Sequence, residues 1–438
     1  MTRVLIVSVG GSPDPILKAV ELHQPDEVIF ACSAPPCESP SIDQVLGDGQ
    51  PCRHDVEGVV AMRPNLVTQL GLQGFRADLQ LIALPHPDDL SDCLLRLRSF
   101  VQTLPQRFSK LDLYGDFTGG TKSMSAALAF TMIDQKATLS VVSGRRDNLV
   151  RIERSEGLRI VDPIPLLAHR LLQERLPSLL EAHFYDRARS LLVDFQRDQS
   201  DRLSADHHQA LAALISQLQV LVLWDRFRWR EALDLAHQTH FAETWPELWS
   251  WWLRVEASTD WKPDDTTSVA ITGYELVQDL LLNAERRGRR GWFDDAVARL
   301  YRASELLAQT YIRLELTLAK GQSVPQTGVL GLYRWLRTYE AERHYGKGDS
   351  GLGNLYACQW RELKRLFDSR NASLLGHGLT PIASSEWQSL QARVTNLLTA
   401  MLRDLGISQG ASPVQLPGEL FLTQPTMHAL LSPSSQLN

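Results

Sequence analysis

Cysteine is scarce in this chain and scattered where it occurs. Cys32, Cys37, Cys52, Cys93 and Cys358 are five residues in 438, too few for a disulfide framework. The Cys32–Cys37 pair lacks the tight spacing and the second pair of a zinc site. Reduced thiols in a cytoplasmic protein are the expectation. Long apolar runs are missing too. None reaches the roughly 18 residues of a membrane span, so no membrane partner is expected. The opening stretch MTRVLIVSVGGSPDP is interrupted at Gly10-Gly11-Ser12-Pro13, too early for a secretion signal, and reads as a buried strand entering a turn. An excess of positive charge is also lacking. The 45 Lys and Arg residues stand against 51 Asp and Glu, a formal net charge of -6. Any nucleic-acid site must therefore be a local basic patch.

Metal-ligand patterns are absent as well. His207 and His208 are adjacent and point apart on a helix. His237 and His240 share a helix face but have no third ligand nearby, so no metal or other cofactor is expected. Neither the Walker loop nor the dinucleotide fingerprint Gly-x-Gly-x-x-Gly occurs. That argues against a nucleotide-dependent metabolic enzyme.

At about 100–200 residues per domain, the length predicts two to four domains. Residues 1–165 alternate strands and helices. Val4–Val9 is a run rich in β-branched residues, suited to a strand buried on both faces. Further strands are expected at 27–31, 79–84, 111–114 and 138–143, with helices at 15–23, 89–104 and 123–135. The stretches 149–153 and 158–161 read as a hairpin around Ser155-Glu156-Gly157. This order implies a Rossmann-like doubly wound sheet. The Pro-, Gly- and Cys-rich stretch 33–74 gives no readable elements.

After Pro163 and Pro165 the chain reads as amphipathic helix to about residue 405. A helical connector is expected over 166–268, a second helical domain over 269–405, and a loosely ordered or docked tail over 406–438. The fold class is thus α/β followed by all-α. Phe184–Ala188, Phe227–Ala232 and Trp292–Ala296 resemble one another, weakly in the manner of a tetratricopeptide repeat. Seven of the eleven tryptophans lie between Trp224 and Trp261. Trp249, Trp251 and Trp252, set among leucines, favour helical core over base stacking.

Two stretches carry chemistry. In the first, a strand ends at Tyr114 and Asp116, Thr118, Gly119, Gly120, Thr121, Lys122 and Ser123 lead into a helix. Glycines admit an anion close to backbone N–H groups, the helix N-terminus adds donors, and Lys122 adds a full charge. Gly10, Gly11 and Ser12 follow the first strand at the same sheet edge, where open α/β sheets bind ligands. In the second stretch, Arg370 and His377 stand seven apart, with Asn371 between them. On a continuous helix they fall within about 20° of one face; if the helix ends early, His377 sits just past its end. Arginine suits phosphate oxygens and histidine transfers protons near neutral pH.

The paired loops resemble those of CARF domains, Rossmann-fold receptors of CRISPR systems that bind cyclic oligoadenylate. The segment Arg370–His377 resembles the Arg-x(4–6)-His motif of HEPN ribonucleases, and Asp294–Gln309 is similar to the long N-terminal helix of CARF-linked HEPN proteins. The resemblance implies a type III CRISPR endoribonuclease, metal-independent, acting on single-stranded RNA. Cyclic oligoadenylate would activate it, with cyclic tetra-adenylate placed ahead of the hexa-adenylate. It implies a homodimer in which Arg370, Asn371 and His377 act in pairs. It implies a ligand site at Gly10, Gly11, Ser12, Asp116, Thr118, Gly119, Gly120, Thr121 and Lys122. Slow cleavage of the ligand by Lys122, Thr121 and Ser12 is a further implication. Arg302 and Glu305 are candidates to brace the cutting site, or form a solvated helix pair. A ligand-responsive regulator that binds nucleic acid or protein without cutting is the competing reading.

Overall fold

The computed structural model describes residues 1–38, 40–47, 64–147, 151–259, 261, 266, 269–316, 318, 323–325, 327–343, 351–405, 412–420 and 424–432, without the side chains of 145–156. The chain divides into two compact units, Met1–Ala168 with Gln199–Ser204 and Leu431–Asn438, and His169–Asp198 with Ala205–Leu430.

The first unit is built on six strands: β1 (Thr2–Ser8), β2 (Glu27–Ser33), β3 (Leu81–Leu84), β4 (Leu111–Asp116), β5 (Thr138–Asp147) and β6 (Arg151–Val161). Their order is β3-β2-β1-β4-β5-β6. The first five are mutually parallel, and β6 runs antiparallel to β5. The principal helices are α1 (Asp14–His23), α2 (Leu90–Val101) and α3 (Lys122–Asp134). Successive β1 residues feed opposite cores. Val4 and Ile6 pack on the side of α2 and α3, and Leu5 and Val7 on the side of α1. A strand buried on both faces can be continuously apolar, which is why Val4–Val7 shows no alternation.

The expected hairpin is displaced. Residues 151–161 form one strand, and Gly157 lies within it opposite Ser143, beside a register irregularity. The Ser-Glu-Gly triplet marks a strand irregularity rather than a turn; the connection at 148–150 lies outside the described residues. In the stretch left unread, short helices occupy Asp43–Leu46 and Leu66–Gln69. Val45 and Leu66 anchor them in the core on the α1 side. Cys52 lies outside the described residues.

The second unit is helical: α4 (Tyr185–Asp198), α5 (Ala205–Asp225), α6 (Trp229–His237), α7 (Pro246–Ser258), α8 (Glu275–Arg289), α9 (Phe293–Glu315), α10 (Val329–Arg343), α11 (Leu352–Cys358), α12 (Trp360–Ala372) and α13 (Ser384–Asp404), with shorter helices besides. The three similar segments mark one device used three times. His183, Phe227 and Gly291 each take positive φ. After each, an N–H reaches back to close the preceding helix: Phe184 to Leu179 O, Arg228 to Leu223 O and Trp292 to Arg287 O. This is the Schellman-type stop of a helix. Ala188, Ala232 and Ala296, all fully buried, then let the next helix pack closely.

The connector and the last helical region share this unit, joined through buried polar groups. Asp225 pairs with Arg286, Arg287 and Arg290. Trp224 Nε1 donates to Asp279 at 3.2 Å, and Trp224 stacks on Trp252. Trp251 and Trp252 are buried, as core residues should be, whereas Trp249 is only half-buried and meets His237 edge-on. The tail docks: Gln415 bonds Arg286 and Leu282 O, and Pro417 O accepts from Tyr185.

Candidate functional sites

In the first unit the strand order reverses between β1 and β4. Open α/β sheets bind ligands in the crevice at such a reversal, beyond the strands' carboxyl ends. The loop after β1 carries Gly10, Gly11 and Ser12, and the loop after β4 carries Thr118–Lys122, so the two sequence motifs do meet. They touch so closely that side chains are excluded. A Cβ on Gly10 would lie 2.6 Å from Gly120 N, and one on Gly119 would lie 2.5 Å from Ser8 O. Ser8 Oγ donates to Gly119 O at 2.7 Å and ties β1 to the second loop.

The loop residues divide by role. Lys122 and Gly11 are exposed. Ser12 Oγ is shielded from solvent and has no hydrogen-bond partner in the structure, a state that a bound acceptor or donor would relieve. Thr121 caps α3, accepting from Met124 N, and its hydroxyl donates to Pro87 O. Thr118 Oγ1 accepts from Val142 N at 2.7 Å. Asp116 is buried, and its Oδ1 accepts from Thr118 N at 3.1 Å. Burial pushes its carboxyl above the usual range, against the hydrogen bonds that favour the charged form. Asp116, Thr118 and the Thr121 hydroxyl hold the loop, and Gly11, Gly120 and Lys122 are left exposed at its surface.

In the second unit α12 ends at Ala372, so Arg370 and His377 do not share a helix. The chain folds back on the helix end. His377 N donates to Asn371 O at 3.0 Å, Gly376 N to Ser373 O at 2.9 Å, and Thr380 N to Ala372 O at 2.9 Å. Ser373 is fully buried, and its hydroxyl donates to Arg370 O at 2.8 Å. Gly376 and Gly378 are steric necessities. Their Cβ atoms would lie 2.0 Å from Arg370 O and 2.2 Å from Ala372 O.

This fold-back keeps Arg370, Asn371 and His377 at one helix end. Arg370 lies over Tyr301 of α9, 4.7 Å from the ring centroid, and its Nη1 donates to Asn371 Oδ1 at 3.0 Å. Phe367 meets Tyr301 edge-on at 5.4 Å. Around them Leu374, Leu375 and Leu379 are 68%, 52% and 85% exposed. Arg302 bonds Glu305 and Gln309 along its own helix, as a solvated pair does, with no bond to Arg370 or His377 among those described.

Residues 268–323 match the model of the Csm6 HEPN domain. That segment contains α8 and α9, hence Tyr301, and ends before Arg370. Among solved structures, Enterococcus italicus Csm6 bound to cyclic hexa-2'-fluoro-hexa-dAMP is similar in fold. The TM-score is 0.54 at 12% identity, covering 98% of this chain and 97% of that one. The matched segment is thus similar to a Csm6 HEPN domain, and the chain as a whole shares the fold of that Csm6 structure. No curated protein matches it in sequence.

The sequence motifs account for the exposed groups but not for their supports. Tyr301, Ser8, Ser140 and Ser373 were missed, because each matters through a neighbour distant in sequence or through a backbone turn. An aromatic residue on the α9 core face gives no sign that an arginine rests on it. No group of three or more His, Cys, Asp or Glu able to hold a metal exists among the described residues. His237 ends α6 while His240 precedes the next short helix and bonds Glu243, so they do not share the face expected of them. No helix among the described residues is long and apolar enough to cross a membrane.

Proposed function

We propose that this chain is a cyclic-oligoadenylate-activated, metal-independent endoribonuclease for single-stranded RNA, acting in type III CRISPR defence in the cytoplasm. The observation that carries the reading is the fold-back turn that returns His377 to Asn371, next in sequence to an Arg370 oriented on Tyr301. Arg370 would stabilise the charge that builds on phosphorus as the ribose 2′-OH attacks. His377 would transfer the protons, and Asn371 would fix the guanidinium. The 5′-oxygen leaves, so products carry 2′,3′-cyclic phosphate and 5′-hydroxyl ends. Residues 1–165 act as the receptor and 269–405 as the nuclease. The exposed leucines beside the motif support a homodimer in which the two copies' motifs work as a pair.

The receptor ligand would sit over Gly10–Ser12 and Gly119–Lys122, with Asp116 and Thr118 behind. Slow ligand cleavage would draw on Lys122 and Ser12, since the Thr121 hydroxyl is engaged as a cap. The sequence reading favours cyclic tetra-adenylate, while the Enterococcus protein is bound to a six-membered ring; the two are tested side by side. The deciding experiment incubates the chain with fluorescent single-stranded RNA in EDTA, with and without each ring. Cleavage with one ring only, surviving EDTA, is expected. Cleavage that EDTA abolishes and magnesium restores overturns the metal-free mechanism, and no cleavage with either ring overturns the nuclease reading.

A further inference from the structure

Behind the receptor loop lies a buried polar chain of which only Asp116 belongs to a sequence motif. Ser140 Oγ is 2.8 Å from Asp116 Oδ2 and 2.9 Å from His23 Nε2. The three residues are 0%, 3% and 5% exposed. Direction follows from proton counting. The Ser140 hydroxyl has one hydrogen, and its bond to Asp116 Oδ2 uses it. Ser140 therefore donates to Asp116 and must accept from His23 Nε2–H. The ring stays neutral, because burial and the nearby Arg3 disfavour its charge; its proton is then on Nε2 and Nδ1 is bare.

Packing alone does not call for these groups. Burying a carboxylate in a sheet core is costly, and an apolar side chain would fill the space. What the carboxylate adds is its second oxygen, which accepts the Thr118 N–H at 3.1 Å. Ser140 also takes the Phe117 N–H on its backbone carbonyl at 3.3 Å, and Val142 N, two residues along β5, donates to Thr118 Oγ1. Every bond converges on the strand end from which Gly119 and Gly120 emerge.

We propose that His23, Ser140 and Asp116 are positioning residues that set the Thr118–Thr121 loop for its anion through one hydrogen-bond chain. This rests on the reading of that loop as the cyclic-oligoadenylate site. The chain touches no ligand; it fixes the Thr118 amide, and with it the direction of the glycine N–H groups that follow. Asp116 thereby changes from a ligand contact to the inner support of one.

The chain has a property that separates it from a merely structural cluster: it can reverse. In Asp116→Asn the amide keeps an acceptor for Thr118 N–H but presents N–H to Ser140. Ser140 must then donate to His23 Nε2, and the ring proton must move to Nδ1. In Ser140→Ala the chain is cut.

The test uses the full chain labelled with 15N-histidine, together with hydrogen exchange at the Thr118 amide and titration with cyclic tetra- and hexa-adenylate. Wild type should show a neutral His23 protonated on Nε2, and Asp116→Asn should show it on Nδ1. Ser140→Ala should exchange the Thr118 amide faster and weaken ligand binding about tenfold, the loss of roughly one hydrogen bond. Asp116→Asn should stay within about threefold of wild type, because its chain is reversed rather than cut. A wild-type His23 protonated on Nδ1, or Thr118 exchange unchanged in Ser140→Ala, overturns the proposal. Faster Thr118 exchange in Ser140→Ala, with wild type binding neither ring, supports the positioning chain and overturns the ligand reading instead.

Discussion

Arg370 is held from two sides, by the Tyr301 ring beneath it and by Asn371 Oδ1 at its edge. A planar guanidinium can stack and still aim a fork at phosphate; an ammonium cannot. Arg370→Lys should therefore cut RNA as poorly as Arg370→Ala, with His377→Ala alike, each losing about 10²–10⁴-fold. Tyr301→Leu should fall between these and wild type, with the loss in kcat rather than KM. Single-turnover cleavage assays at saturating activator measure this, and an Arg370→Lys variant within threefold of wild type would contradict it. At the other site, Lys122 is exposed beside glycine N–H groups. Lys122→Ala should raise the activator concentration needed for half-maximal cleavage while leaving the maximal rate unchanged. A titration with unshifted midpoint would remove Lys122 from the ligand site.

Short elements place these groups. The sequence left open whether the helix ends before Gly376, and the fold-back itself is not legible, since it depends on which carbonyls the glycines must approach. Gly376→Ala should abolish cleavage by displacing His377, with little change in melting temperature, because the turn is at the surface. In the helical unit, Asp225 faces Arg286, Arg287 and Arg290. Burial alone would raise its pKa, and the three guanidiniums outweigh that and lower it. Asp225→Ala leaves three buried cations without their carboxylate, and should cost about 3–5 kcal/mol in denaturant unfolding.

The same cluster sets an acid limit. His183 is buried near Arg286, Arg289 and Arg290, and burial followed by those charges pushes its pKa down to about 3. Unfolded, it would take a proton near pH 6.5. Between those values the unfolded state binds more protons, so stability falls as pH falls, by up to about 1.4 kcal/mol per unit. Urea midpoints should drop from pH 7 to pH 5, and His183→Gln should flatten that slope; an unchanged slope would exclude His183 as its source.

At the scale of the whole molecule, the proposed receptor loop and the proposed nuclease turn on one chain raise the question of coupling. A ligand can activate only through its differential affinity for the active arrangement, and such couplings run to about 1–3 kcal/mol. A ring that binds tightly should therefore raise cleavage about 5–150-fold. Tight binding measured by calorimetry, with cleavage unchanged, would show that the two functions are not linked.

By itself the sequence determined the alternation of strands and helices, the buried first strand, the change to helix after Pro163 and Pro165, and both short motifs. These are local properties, carried by apolar periodicity, glycines and the spacing of a few polar residues. Tertiary structure alone decided how closely the loops after β1 and β4 pack, that Tyr301 lies beneath Arg370, and that His23 reaches Ser140 across 117 positions. It also chose, of the two placements open for His377, the one past the helix end, and made an expected hairpin one strand of eleven residues. The physical reason is common to all of these. A contact between distant residues depends on strand order and helix packing, and no pattern within a dozen neighbouring residues encodes it.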